Sequence, residues 1–254
     1  MRALLRSIVF VAFIASCFAS CRLTLQDGED CYECVGLKDL TNLQIPLTVK
    51  GINIINSNIS KIKTDAFSQY SQSLIELNIT GCGIEEIEPD AFRGLTKLRL
   101  LGLVNNKIRK IDASWIRGLS NLKSLILWQN RIVDVDPKIY DLLPELQVWD
   151  LAYNNLTKCL SPELLKKLKN LETILIAGNS WSYRCRASMA WYLGSHHIRF
   201  IKDWSIWSDL LIEECLAHDT LPNDVGSLNE QVRILTNKVS HLEAEIDILK
   251  KTKM

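Results

Sequence analysis

Residues 98–108 read LRLLGLVNNKI, residues 122–132 read LKSLILWQNRI and residues 146–156 read LQVWDLAYNNL. In each, apolar residues stand first, fourth and sixth, asparagine ninth and an aliphatic residue eleventh. Working outward, Val49, Leu74 and Leu171 open segments of the same form. The six openings Val49, Leu74, Leu98, Leu122, Leu146 and Leu171 are spaced 25, 24, 24, 24 and 25 residues apart. A fixed period of this kind marks a stacked array of supersecondary units. Cys82 takes the asparagine position in the second segment and Ser57 in the first. The sixth keeps Leu171, Ile174, Ile176 and Asn179, then breaks into Trp181. Apolar residues continue into the later half of each unit, as Ile62/Phe67, Ile87/Phe92, Ile111/Ile116 and Val135/Ile139.

The L-x-L alternation predicts a short strand with one face inward. The asparagine amide, with two donors and an acceptor, can satisfy backbone groups where the chain leaves that strand. Such units stack their strands in parallel and curve, with the strands on the concave side. The pattern is identified as the leucine-rich repeat in its 24-residue version. The expected fold is an α/β solenoid: a leucine-rich-repeat horseshoe of about six 24-residue repeats, with cysteine caps and a C-terminal coiled-coil helix. The divisions are a signal peptide over 1–19, an N-terminal cysteine cap over 20–48 and repeats over 49–178. A C-terminal Trp/Cys cap over 179–221 and a coiled coil over 222–254 follow.

At the N-terminus, Arg2 and Arg6 precede an apolar run from Ile8 to Ile14, and Cys17 and Ala19 suit a cleavage site after Ala19. The run is shorter than the ~20 residues of a membrane-spanning helix. The reading is a secreted, extracellular chain without a membrane span. The whole chain has 30 basic and 29 acidic residues, and loss of Arg2 and Arg6 leaves 28 against 29. No basic surplus exists to neutralise phosphates, so the expectation is no nucleic-acid partner. Trp181, Trp191, Trp204 and Trp207 are expected to close the apolar end of the array, with carbohydrate stacking as the alternative.

From Val225 the apolar period changes to seven. Val225, Val232, Val239 and Ile246 hold one heptad position; Leu228, Leu235, Leu242 and Leu249 hold the other. β-Branched residues at a with leucine at d favour a parallel two-stranded coil. In that register Lys238 faces Glu243 of a second copy, and Glu245 faces Lys250. A homodimer is thereby permitted, a heterodimer stays open, and a helix packed on its own repeats is the alternative. Pro222, Asn223 and Asp224 mark the helix start.

Eight cysteines become seven once Cys17 leaves with the leader. Cys82 and Cys159 sit at positions where other repeats bury side chains, and both are expected to be buried apolar fillers. Cys21, Cys31, Cys34, Cys185 and Cys215 remain as the disulfide candidates in an oxidising compartment. Two arrangements stay open: Cys215 linking two chains ahead of the coil, or Cys185–Cys215 as a cap disulfide with an N-cap cysteine to spare. The Cys31-x-x-Cys34 pair has no second ligand pair at zinc-site spacing, so no metal and no cofactor are expected.

Outward strand positions in the central repeats carry Leu100, Val104, Asn105, Ile126, Trp128, Gln129, Val148, Asp150 and Tyr153. An apolar, aromatic centre with a polar edge reads as a surface for protein ligands, with Trp128 and Tyr153 as anchors. His196-His197, Asp134/Asp136 and His241 lack partners at catalytic spacing, and no nucleophile motif or phosphate loop occurs, so the chain is not expected to be an enzyme. Signal peptide, repeats, cysteine-bearing cap and coiled coil, in this order, resemble the leucine-rich immune molecules of mosquitoes. The resemblance implies a secreted haemolymph protein in disulfide-linked coiled-coil complexes that support complement-like defence. The alternatives are an extracellular-matrix or cell-surface adaptor, and a secreted salivary inhibitor or carrier.

Sequons place candidate N-glycans at Asn58, Asn78 and Asn155. Enzymatic deglycosylation of the secreted protein is expected to lower its intact mass by at least one N-glycan. An unchanged mass refutes this.

Overall fold

The residues that define the period become the inner face of a parallel sheet. The computed structural model describes residues 20–201 apart from residues 27, 28 and 42. The sheet runs in the order β1 (Ser20–Gln26), β2 (Glu29–Val35), β3 (Gly51–Ile55), β5 (Glu76–Thr80), β7 (Leu100–Gly102), β9 (Ser124–Ile126), β11 (Val148–Asp150), β12 (Thr173–Leu175), β13 (Arg199–Ile201). Every pairing from β2 onward is parallel. Leu77, Leu101, Leu125, Trp149 and Ile174 share one register row and are all fully buried. One concave strand per repeat, one apolar residue per row: the array is built by repetition.

The repeat asparagines hold the turns together. Asn130 accepts the Ile108 N–H at 3.1 Å through Oδ1 and donates from Nδ2 to the Leu103 and Leu127 carbonyls at 2.7 and 3.1 Å. Asn154 repeats this with the Ile132 N–H at 2.9 Å and the Leu127 and Leu151 carbonyls at 3.0 and 3.1 Å. Asn106 takes the N–H groups of Cys82 and Ile84, both at 3.1 Å, and Asn179 takes that of Leu156 at 3.0 Å. Each amide therefore ties its own repeat to the one before. Ser57 does a reduced version, accepting from the Leu37 N–H and donating to the Ile55 carbonyl.

On the convex side the strands β4 (Lys61–Ile62) and β6 (Glu86–Ile87) pair in parallel, as do β8 (Lys110–Ile111) and β10 (Asp134–Val135). A 3₁₀ turn (Ser68–Tyr70) and the short helices α1 (Ala113–Ile116), α2 (Ile139–Leu142) and α3 (Pro162–Leu165) complete the repeats. Phe67 stacks on Phe92 at 6.1 Å and Phe92 meets Trp115 edge-on at 6.0 Å, filling the space between convex wall and sheet. Among the described residues no helix is long and apolar enough to cross a membrane.

Both ends of the array are covered. At the N-terminal end β1 and β2 form an antiparallel hairpin, closed by the Cys21–Cys34 disulfide at facing positions. Cys31 is buried against Gly51, where even a methyl group would collide with its sulfur. At the other end helix α4 (Tyr183–Ser195) buries Met189, Tyr192 and Leu193, and Trp181 is buried beside them. Trp191, expected in that seal, is exposed at 37%. The leader, Trp204, Trp207, Cys215 and the heptads of residues 225–249 lie outside the described residues.

The cysteine reading needs correction. Cys159 is not a buried filler: it is exposed and bonded to Cys185, which excludes Cys185–Cys215. The bridge to Cys185 on the cap helix holds Cys159 outside the core, and Leu160 takes the buried place. Cys82 is buried as expected, and burial pushes its thiol pKa up, away from the reactive thiolate.

Replacing Asn154 by alanine removes three hydrogen bonds, each worth about 1 kcal/mol, and leaves the Ile132 N–H without its acceptor, while the Leu127 and Leu151 carbonyls keep donors from Asn130 and Asn179. Urea unfolding is expected to show a loss of about 3 kcal/mol for Asn154→Ala and less than about 0.5 kcal/mol for the exposed neighbour Asn155→Ala. Equal losses refute the ladder's role.

Candidate functional site

Outward residues on the concave face are set by the sheet register. One row runs Asn78, Gly102, Ile126, Asp150, Leu175 across β5, β7, β9, β11 and β12. Beyond the strand ends, the N–H of Gln129 donates to the Ala152 carbonyl and that of Tyr153 to the Ala177 carbonyl. Trp128, Ala152 and Ala177 therefore occupy equivalent places in three successive repeats, with Gln129, Tyr153 and Gly178 next to them.

The residue at that last place adopts a left-handed backbone in every repeat: Asn56, Gly81, Asn105, Gln129, Tyr153 and Gly178 have φ between 45° and 67°. Glycine and asparagine tolerate this region; Gln129 and Tyr153 do so at a cost. The strained Tyr153 is also half exposed, at 50%, and Trp128 is 37% exposed. Their rings meet edge to face, with centroids 5.9 Å apart and planes at 78°. Gly178 makes room beside Tyr153. A Cβ there would stand 2.7 Å from the ring's Cδ1. Ala152 and Ala177 are buried, so the two rings rise beside a floor of small side chains.

Of the residues expected on this surface, Trp128, Gln129, Tyr153 and Asn105 are exposed, and Leu100, Val104, Ile126 and Val148 are half-buried. Asp150 is the correction. Expected at a polar edge, it is only 7% exposed, because it lies between Ile126 and Leu175 in register. Its Oδ1 accepts the Ala152 N–H at 2.9 Å. Burial pushes its pKa above the usual carboxylate range, only partly countered by that hydrogen bond, and no neighbouring positive charge contributes. Ala152, Ala177 and Gly178 were not singled out from the sequence. The available signal was alanine at the outward position where earlier repeats carry Val104 and Trp128.

The residues a catalytic reading would pick are structural or dispersed. Asp136 caps the backbone N–H groups of Ala113 and Lys138, and Asp134 is exposed. His196 and His197 are exposed, with His196 Nδ1 against the Tyr192 carbonyl. Among the described residues no three His, Cys, Asp or Glu side chains converge as a metal site. Asn58 and Asn155 are exposed at repeat turns; Asn78 is half-buried on the concave sheet, its amide lying over Gly102.

A family profile described as "Leucine rich repeat" matches residues 48–108, 72–127 and 120–180. The chain belongs to the leucine-rich-repeat family. None of the curated proteins matches it. Among solved structures it is similar to one described as "Crystal structure of TLR13-ssRNA13 complex". The two share 26% identity at a TM-score of 0.55, over 64% of this chain and 23% of that one. The chain thus spans about a quarter of that structure's length. Leucine-rich-repeat arrays present extended concave binding surfaces, and the aromatic pair lies on this one.

The raised pKa of Asp150 carries a stability consequence. Its contribution is present below the ordinary carboxylate pKa and is lost as pH rises through the raised folded value. Asp150→Asn retains an Oδ1 acceptor for Ala152, so it is expected to melt no lower than wild type at pH 7. Its advantage is expected to disappear in acid. A lower melting temperature at pH 7 contradicts this.

Proposed function

We propose that this protein is a secreted leucine-rich-repeat recognition protein acting in innate immunity. It binds a protein partner through the concave face of repeats three to six and dimerises through the heptads of residues 225–249. The observation that carries the binding surface is the Trp128–Tyr153 pair, exposed on an otherwise regular face and held partly by a strained backbone. Tryptophan and tyrosine are the residues in which interface energy concentrates. Asn78 stands two strands from Ile126 on the same row, about 10 Å away at ordinary strand spacing. A glycan there directs ligands toward the later repeats.

Two disulfides support an oxidising, extracellular compartment. The engagement of Cys185 by Cys159 removes the partner that Cys215 had within the cap, which supports Cys215 as the residue linking two chains. The immune setting draws on the resemblance of the domain order and on the likeness to the TLR13 structure. That structure's ligand is described as an ssRNA. Here the near-equal count of 30 basic and 29 acidic residues supports a protein ligand instead.

The test uses the secreted full chain, immobilised and exposed to the body fluid from which it comes. Wild type and a convex control, Val133→Ala, are expected to retain the same bound protein, and Trp128→Ala/Tyr153→Ala to lose it. Retention by the double variant refutes the concave surface. On non-reducing gels Cys215→Ser is expected to convert a linked dimer to single chains, while light scattering still reports a dimer. A monomer mass for wild type refutes the dimer.

A further inference from the structure

As a residue Asp150 is only 7% exposed, yet it belongs to the concave, ligand-facing side of the sheet. The described ion pairs of the solenoid lie elsewhere, such as Lys61 with Glu86 and Glu88, Lys107 with Glu85, and Lys167 with Asp141. Among the described residues no lysine, arginine or histidine pairs with Asp150. Its one hydrogen bond, from the Ala152 N–H, uses Oδ1 and leaves Oδ2 without a described donor. A buried carboxylate in this position is costly to keep ionised unless a cation reaches it.

The surroundings say which cation. Ile126 and Leu175 flank Asp150 along the register row, so water is largely excluded at its sides. Trp128 stands two residues after Ile126, the register partner of Asp150, just past the end of β9. Tyr153 follows Asp150 by three residues and closes edge to face on Trp128 at 5.9 Å. An acid on the same face as two exposed aromatic rings matches a planar, weakly hydrated cation. A guanidinium satisfies both halves at once: it pairs with the carboxylate through its N–H groups and stacks on an aromatic ring. A phosphate meets only repulsion from the same floor.

We infer that Asp150, Trp128 and Tyr153 form an anchor pocket for an arginine side chain of the protein ligand. This rests on the concave-face reading and gives it a chemistry. The aromatic pair supplies contact area, and Asp150 supplies charge selection. The burial of Asp150 makes that selection strong, because a neutral side chain in its place leaves the carboxylate uncompensated. Ala152 and Ala177 are buried and the Tyr153 ring occupies the space over Gly178, so the ligand side chain meets the exposed faces of the two rings.

The experiment titrates the secreted full chain at low salt with two probes, Nα-acetyl-arginine amide and its neutral isostere Nα-acetyl-citrulline amide. Ligand-observed NMR reads the binding. The arginine probe is expected to bind about tenfold more tightly than the citrulline probe, and Asp150→Asn to abolish the difference. Trp128→Ala is expected to weaken the arginine probe by a similar factor. Circular dichroism and melting temperature confirm that each variant is folded. Equal binding of the two probes, or an undiminished preference in Asp150→Asn, overturns the pocket. If the partner protein is lost from Trp128→Ala/Tyr153→Ala but held undiminished by Asp150→Asn, the concave interface stands and the arginine anchor falls. If the double variant keeps its partner, the interface reading itself falls.

Discussion

Everything in this solenoid hangs on buried asparagine amides that bond backbone groups of their own repeat and of the one before. A parallel strand of three residues, such as β7 or β9, cannot hold its neighbours by ladder hydrogen bonds alone. The amide of Asn130 or Asn154 adds a fixed link between one turn and the next, in a place water cannot reach. The repeat can therefore be short in strand yet strict in period. The same constraint sends the chain through a left-handed residue just before each asparagine. That is how Gln129 and Tyr153 come to be strained. The aromatic site is a by-product of the turn that makes the fold.

A one-dimensional stack also explains why cysteines gather at its ends. Each internal repeat is covered by its neighbours, and only the terminal ones need another cover. Cys21–Cys34 closes the hairpin that covers the first repeat, and Cys159–Cys185 fastens helix α4 onto the fifth repeat. The second bridge begins within a repeat and ends in the cap. The two are one mechanical unit.

The period, the strand faces and the core rows were legible because a single rule recurs six times. Leu98, Leu122 and Leu146 need no tertiary information to be placed inward. Trp128 and Tyr153 were legible as outward residues for the same reason. What the pattern did not carry was anything local to one repeat. Cys159 faces outward in its bridge to Cys185 and leaves Leu160 to fill the core. Asp150 reads as an ordinary outward polar residue, and its burial comes from Ile126 and Leu175 on either side. Trp191 reads as part of a seal that Met189, Leu193 and Trp181 make without it.

By itself the sequence determined the family, the parallel direction of the concave strands and the identity of the buried rows. Periodicity repeats the same local energetics at every turn, so one correct assignment settles the others. Tertiary structure alone decided which cysteines meet, how deeply Asp150 sits and how Tyr153 stands against Trp128. Those depend on distances between residues that are neighbours only after the chain has stacked. No period along the chain encodes a contact across it.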